Sequence, residues 1–388
     1  MSSTNSPYYI KVVSLLLIFF ILFSLKAAEY MAIVDAGSSG TRVYFYKLTQ
    51  KNSLPQVEEI KLENNTLEPS VLAYIKWPKE LSDYLDSLFK SLITVSSERG
   101  IKTEDIEVYV LATAGLRIVS PKEREIFYTC LTDYIKNKKF AFAYAGMITG
   151  HMEGIFDWVA VNYLLNTFSE DKKSVGVLDL GGGSTQIAFE TQEVSIFESK
   201  IKIGNKTYNL YSRSYLGIGM DYARYQFSNH PECWPKGYPM PSTHIKADPD
   251  FSEGVRDFSM LINLFHNLNG YKDLNPPDDM DFIGIRGYYH VANAKALHLN
   301  STFTLKELQQ AGTNFSKLSW QELEKNYPDD PYLFAHLIHL QLITALFKYE
   351  YDFHSDKEIQ TCNKINGTAV SLALGAAIYF YEGNRFKN

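Results

Sequence analysis

Cysteine is scarce: Cys130, Cys233 and Cys362 are the only three in 388 residues. None sits at zinc-site spacing, and three thiols cannot build the disulfide framework of a small secreted domain. Stability has to come from a hydrophobic core, for which a 45% apolar composition is ample. There is no basic excess either. The net charge of −6 argues against a nucleic-acid binder but not against a nucleotide held by a local loop. No low-complexity linker divides the chain, so any domain boundary is a hinge rather than a tether. The apolar run at the start, residues 12–25, follows Lys11, precedes Lys26-Ala27-Ala28-Glu29, and is short for a bilayer span. It has the layout of a secretory signal. The expectation is a signal peptide over residues 1–28 and a secreted or periplasmic protein with no stable span after cleavage. A retained N-terminal membrane anchor is the alternative. An exported chain this poor in cysteine fits a bacterial envelope or medium better than an animal cell surface. Whether Cys233 and Cys362 pair is open at this level.

What the chain does have is one stretch used twice. Ile33-Val34-Asp35-Ala36-Gly37-Ser38-Ser39-Gly40-Thr41-Arg42 lies in register with Val177-Leu178-Asp179-Leu180-Gly181-Gly182-Gly183-Ser184-Thr185-Gln186. Each reads as a buried strand ending in aspartate, a turn of small residues, and a second strand. Small side chains let backbone N–H groups converge on an anion, and an aspartate at a strand end can hold a metal or its water shell. A lone copy is equally well a hairpin turn with a capping Asp. Two copies in register point to paired phosphate loops across a cleft.

Between and after the loops, strand and helix patterns alternate, which predicts an α/β fold. Helices are expected over residues 80–99, from Ser120-Pro121-Lys122-Glu123 to about residue 138, from a Thr149 cap to residue 165, and over 251–267, 305–311, 320–327 and 332–349. Strands are expected near 58–61, 107–111, 140–145 and 281–285, with residues 193–210 extending the second hairpin's sheet. Residues 211–280 read as the least regular part. The small-residue tail around Gly375 should pack closely on the loop region.

Several side chains are candidates for chemistry. Phosphoanhydride hydrolysis needs an oriented water and a carboxylate to take its proton. Glu153 is the candidate base, although the helix dipole alone favours a glutamate in a first turn. Thr113-Ala114-Gly115 follows a strand end beside the first loop. Tyr288, Tyr289 and Tyr332 are candidates for base stacking, with core packing the default for each. His336 and His339 lie at helical spacing, but hard-cation chemistry on oxygen donors suits the sequence better than zinc.

Four motifs in order, Asp35–Arg42, Ala112–Arg117, Glu153–Leu165 and Asp179–Gln186, strongly resemble the apyrase, or nucleoside triphosphate diphosphohydrolase, family. Tyr215-Leu216-Gly217-Ile218-Gly219 and Leu374-Gly375-Ala376 add to the resemblance, which covers nearly the whole exported chain. It implies a two-lobe actin-like fold with an RNase-H-type mixed sheet in each lobe. Lobe I would comprise residues 29–149 plus 364–388 and lobe II residues 150–363, with the active site between them. It also implies removal of terminal phosphate from nucleoside tri- and diphosphates, dependent on Mg²⁺ or Ca²⁺; the protein is expected to be a monomer. By motif, Glu153 would activate water. Asp35 and Asp179 would hold the metal through its waters, with Thr113 and Gln186 fixing the shell. Ser38, Ser39, Gly40, Thr41, Gly182, Gly183 and Ser184 would cradle phosphates, and Tyr332 and Tyr289 would flank the base. One departure stands out: Leu372 occupies the place of the family's tryptophan before Leu-Gly-Ala, and leucine has no indole N–H to donate. Two other readings share parts of this pattern, an exopolyphosphatase-like hydrolase and a non-catalytic, nucleotide-gated actin-like scaffold.

Overall fold

The computed structural model describes residues 29–384 apart from 38–39, 114–115, 117–118, 170–171 and 270–272. The expected signal peptide and the phosphate-loop residues Ser38 and Ser39 lie outside the described residues.

Two mixed sheets share one plan. In the first, β1 (Tyr30–Ala36) and β2 (Thr41–Lys51) form an antiparallel hairpin, and β3 (Leu54–Glu59) extends it antiparallel, with the short β4 (Thr66–Leu67) also on β2. On the other side of β1, β5 (Ile106–Ala112) and β6 (Ala141–Met147) add in parallel, giving the order β3-β2-β1-β5-β6. The second sheet is made of β7 (Gly176–Leu180), β8 (Ser184–Glu190), β9 (Glu198–Ile203), β10 (Lys206–Leu216), β11 (Phe282–Arg286), β12 (Thr302–Thr304) and β13 (Glu358–Thr361). Its order is β12-β13-β11-β7-β8-β10-β9. Without its edge strands β9 and β12 it repeats the first: a hairpin, a third antiparallel strand beyond it, and two parallel strands on the other flank. The twin loops occupy equivalent positions. Ala36 pairs with Thr41 and Asp35 with Arg42, just as Leu180 pairs with Thr185 and Asp179 with Gln186. A small ribbon, β14 (Lys364–Ile365) and β15 (Thr368–Ala369), follows.

The helices are α1 (Pro78–Glu98), α2 (Pro121–Asn137), α3 (Gly150–Leu164), α4 (Met220–Gln226), α5 (Phe251–Asn269), α6 (Gly287–Ala292), α7 (Leu305–Phe315), α8 (Trp320–Asn326), α9 (His336–Ala345) and α10 (Leu372–Tyr381). Strand residues alternate between the faces of a covered sheet, so continuous apolar runs are buried on both sides. Ala32 and Val34 of β1 pack in an outer core with Leu85, Leu88 and Phe127 of α1 and α2. Met31 and Ile33 face a middle core that also takes Val177, Ile283 and Ile285 of the second sheet. Helices α3 and α10 supply nearly half of that middle core, while α5 and α9 close the outer face of the second sheet.

The expected helix starts are formed as read: Ser120 and Glu123 make a reciprocal capping box, and Thr149 caps α3 by accepting from the Met152 N–H. Other expectations are revised. Residues 211–216, read as irregular, continue β10, because they stay paired with β8 through Leu216. Strands β12 and β13 are too short and polar to signal themselves. The tail crosses α3, where a Cβ on Gly375 would lie 1.8 Å from the Phe156 carbonyl oxygen, and its start at Val370–Leu372 lines the same cavity as the loops. All three cysteines are free. Cys233 lies in the outer core of the second sheet and Cys362 against the middle core, so they do not pair.

Candidate functional site

A cavity of about 850 Å³ opens where the carboxyl ends of β1, β7 and β11 converge. Asp35 and Arg42 line it from the first loop, and Gly181 and Gly182 from the second. Arg286 and Gly287 close its floor, Leu372 at the start of α10 forms part of its wall, and Tyr332, His336 and His339 stand at its far end.

The second loop is built rigidly. Its turn closes with the Gly181 N–H donating to the Ser184 carbonyl (2.9 Å), and the Thr185 hydroxyl donates to the Asp179 carbonyl (2.6 Å). The Gly181, Gly182 and Gly183 carbonyls accept from Met220, Asp221 and Gly217 N–H groups, each at 2.9 Å. That contact with the start of α4 requires glycine: a Cβ on Gly219 would meet the Gly182 carbonyl at 2.6 Å. Gln186 Nε2 donates to Ser184 Oγ (2.8 Å) and Ser214 Oγ (3.0 Å), so Gln186 and Ser184 form a buried polar pair behind the loop. The first loop is anchored differently. Thr41 is fully buried, and its hydroxyl accepts from the Val71 N–H (2.9 Å) instead of facing the cavity. Gly40 packs so that a Cβ would come within 3.2 Å of the Leu67 carbonyl. Thr113 sits beside this loop, its N–H donating to the Ala36 carbonyl (3.3 Å).

Asp35 and Asp179 occupy matching strand ends and feel each other's charge. Burial pushes the Asp35 carboxyl up, Arg286 and Arg42 pull it down, and Asp179 adds to the rise. Asp179 Oδ2 contacts Arg286 Nη1 at 2.6 Å, whereas its Oδ1 is buried with no hydrogen-bond partner in the structure. An orphaned carboxylate oxygen is costly unless a further group takes it up. With only oxygen donors nearby, a hydrated hard cation fits this place chemically.

Glu153 is buried in the first turn of α3. The next residue, Gly154, lies tight against the second sheet: a Cβ there would meet Ser212 Oγ at 2.4 Å and Gln186 Cβ at 3.5 Å. That contact sets the start of α3 against β8 and β10, and Glu153 itself is not among the residues that line the cavity. Tyr332 is 58% exposed at the cavity rim, where a planar ring can be stacked upon. Tyr289 is not among the lining residues, although its α6 neighbours Gly287, His290 and Val291 are. Tyr288 is fully buried and stacks on Phe347 in the core.

Two site residues escaped the reading of the sequence. Arg286 Nη1 and Nη2 grip Asp157 in a fork, both at 2.9 Å, and Asp157 is completely buried one turn after Glu153. Burial, opposed by Arg286 and reinforced by Asp179, pushes the Asp157 carboxyl up to about 7. A charge inside the apolar run of α3 was the available signal, since buried charges are rare unless paired. His336 and His339 are buried as expected for structural histidines. His336 Nε2 lies 2.7 Å from Asp330 Oδ2, and burial together with the His336 and Arg224 charges pushes His339 down to about 3.

Comparison with known proteins matches the geometry. Residues 22–232, more than half the chain, match the GDA1/CD39 (nucleoside phosphatase) family. A probable apyrase 4 of Arabidopsis thaliana is 26% identical over 77% of this chain and 68% of its own length. Ectonucleoside triphosphate diphosphohydrolase 1 of Bos taurus is 25% identical over 89% and 80%. A guanosine-diphosphatase of Schizosaccharomyces pombe is 26% identical over 90% and 73%. Among solved structures, nucleoside triphosphate hydrolases from Neospora caninum align with a TM-score of 0.61 at 13% identity, over 97% of this chain and 96% of theirs. An Aquifex aeolicus Ppx/GppA protein aligns with 0.55 at 16%, over 90% and 96%. At these identities the structural likeness establishes the fold, an actin-like α/β architecture with two mixed sheets.

Proposed function

Because this chain belongs to the GDA1/CD39 (nucleoside phosphatase) family, we infer that it is an exported apyrase that removes terminal phosphate from nucleoside tri- and diphosphates. The observation that carries this reading is the pairing of Asp35, which lines the cavity, with Asp179 at the equivalent strand end next to the lining residues Leu180–Gly182, and with Glu153 buried on the helix between the sheets. The two lobes are residues 29–149 plus 364–388 and residues 150–363. In keeping with that division, α10 packs against β1 of the first sheet as well as α3.

Asp35 and Asp179 would hold the divalent cation, Mg²⁺ or Ca²⁺, through its waters, with Thr113 beside the first loop and Gln186, through its bond to Ser184, supporting that shell from behind. When bound, the cation neutralises charge on the phosphate oxygens. The backbone N–H groups of the loops around Ser38–Gly40 and Gly182–Ser184 hold the phosphates. The buried side chains of Thr41 and Ser184 brace those loops from behind. Glu153 orients a water in line with the bridging oxygen and takes its proton as the new bond to phosphorus forms and the bridging P–O bond breaks, releasing inorganic phosphate and the shortened nucleotide. Tyr332 stacks on the base; Tyr289, which does not line the cavity, is left without that role. Leu372 presents a purely apolar wall and makes no hydrogen bond to the water shell.

Replacing a general base costs about 10²–10⁴-fold in rate. Glu153→Ala should therefore lose at least 100-fold in phosphate release from ATP and ADP, while ADP binding measured by calorimetry persists. Full activity in that variant would remove Glu153 from the mechanism. The exopolyphosphatase-like alternative rests on a likeness of fold at 16% identity, whereas the nucleotide-hydrolase relatives match in sequence over most of the chain.

A further inference from the structure

We propose that Arg286 is a resident cation of the cleft, which binds a substrate phosphate oxygen directly and competes with the metal for Asp179. This rests on the nucleotide-hydrolase reading. Its first support is geometric. Arg286 lines the cavity between Asp35 and the glycines of the second loop, with 35% of its side chain exposed. Asp157 and Asp179 engage three of the five N–H donors that a guanidinium carries. Two remain, on the rigid planar fork that suits phosphate best.

The second support is the backbone. Arg286 has φ +52° and ψ −110°, a left-handed conformation in a non-glycine residue at a strand end. Such a conformation is strained and persists only where its surroundings over-determine it. Here the fork to Asp157 supplies that hold. The Asp157 anchor is on α3, one turn from Glu153, and Arg286 ends β11 of the second sheet. The ion pair therefore ties the base-bearing helix to the floor of the cavity.

The third support is charge. Asp179 Oδ2 is held by Arg286, whose charge also acts on Asp35. A divalent cation gathering its water shell at the open Oδ1 of Asp179 would meet the repulsion of the guanidinium on Oδ2, and a phosphate bound to the remaining N–H groups would offset that repulsion. Phosphate binding without metal, and metal binding weakened by Arg286, follow together from this one placement. A purely structural clamp predicts neither.

The test is calorimetric binding of ADP and of inorganic tripolyphosphate in EDTA, and of Mg²⁺ and Ca²⁺ alone, without turnover. Wild type should bind ADP in EDTA. The charge-neutral pair Asp157→Asn with Arg286→Gln removes both buried charges at once, so neither is orphaned. It should weaken metal-free ADP binding tenfold or more and tighten Mg²⁺ binding severalfold. Arg286→Lys keeps the charge but loses the fork, and should fall between the two; it serves alone if the pair does not fold. Equal ADP affinity in EDTA for wild type and variants, or no such binding by wild type to either probe, overturns the proposal. Arg286-dependent binding of tripolyphosphate but not ADP would leave Arg286 in place and overturn the nucleotide reading instead.

Discussion

Asp35 and Asp179 are equivalent in sequence and in register, yet their surroundings differ. Asp35 is half-buried facing Arg42 across the hairpin, while Asp179 is buried against Arg286 with one oxygen unsatisfied. The metal is therefore expected to depend on both, and EDTA should abolish phosphate release, with added Mg²⁺ or Ca²⁺ restoring it. EDTA-resistant turnover of ATP would contradict the role given to the pair. A different residue weakens the fold as the pH falls. His339 is neutral in the folded protein, its pKa lowered from 6.5 to about 3. The unfolded chain takes up a proton below 6.5 that the folded chain refuses, so stability is present above 6.5 and is lost as pH falls toward 3. Between pH 7.5 and 5 this amounts to about 2 kcal/mol. Thermal melts of His339→Gln should show a shallower decline over that interval than wild type; parallel declines would assign the acid sensitivity elsewhere.

Among the elements, α3 and α10 decide how the two halves meet. Their crossing has no room at Gly375, where even a methyl group would run into the Phe156 backbone. Backbone cannot rotate aside as a side chain can, so Gly375→Ala must push the helices apart. Overpacking of this kind costs about 1–3 kcal/mol. The same shift would move Leu372 on the cavity wall and Glu153 on α3. Gly375→Ala should lower both melting temperature and activity, whereas Ser120→Ala should lower stability alone, by about 1 kcal/mol through loss of the α2 capping box. Unchanged activity in a destabilised Gly375→Ala would show that the crossing does not position the site.

For the molecule as a whole, the remaining expectations concern substrate and destination. A panel of ATP, ADP, GDP and polyphosphate should show release from the nucleotides and none from polyphosphate; the opposite pattern would favour the exopolyphosphatase-like reading. Export predicts that protein recovered from outside the producing cell begins at residue 29, as read by intact mass. Retention of residues 1–28 would favour the membrane anchor. The named relatives come from plant, animal and fungus, so the bacterial setting inferred from the few cysteines gains no support from them. The helices and hairpins near the twin loops were legible because their signals are local: a Ser-Pro-x-Glu cap, a Thr cap, and two apolar strands each ended by Asp and glycine. The edge strand β12 and its neighbour β13 were not, since three or four mostly polar residues acquire strand character only from the partner they pair with.

The sequence by itself determined the duplicated loop, the register of its two hairpins and the family those motifs point to. Backbone chemistry is written locally, in strand runs and turn residues. Tertiary structure decided what each matching residue does. It turned Thr41 inward to Val71, set Tyr289 outside the cavity, and joined Asp157 to Arg286 across 129 positions of chain. Charges so far apart in sequence carry no mutual signal until the fold removes the water between them and makes their pairing obligatory.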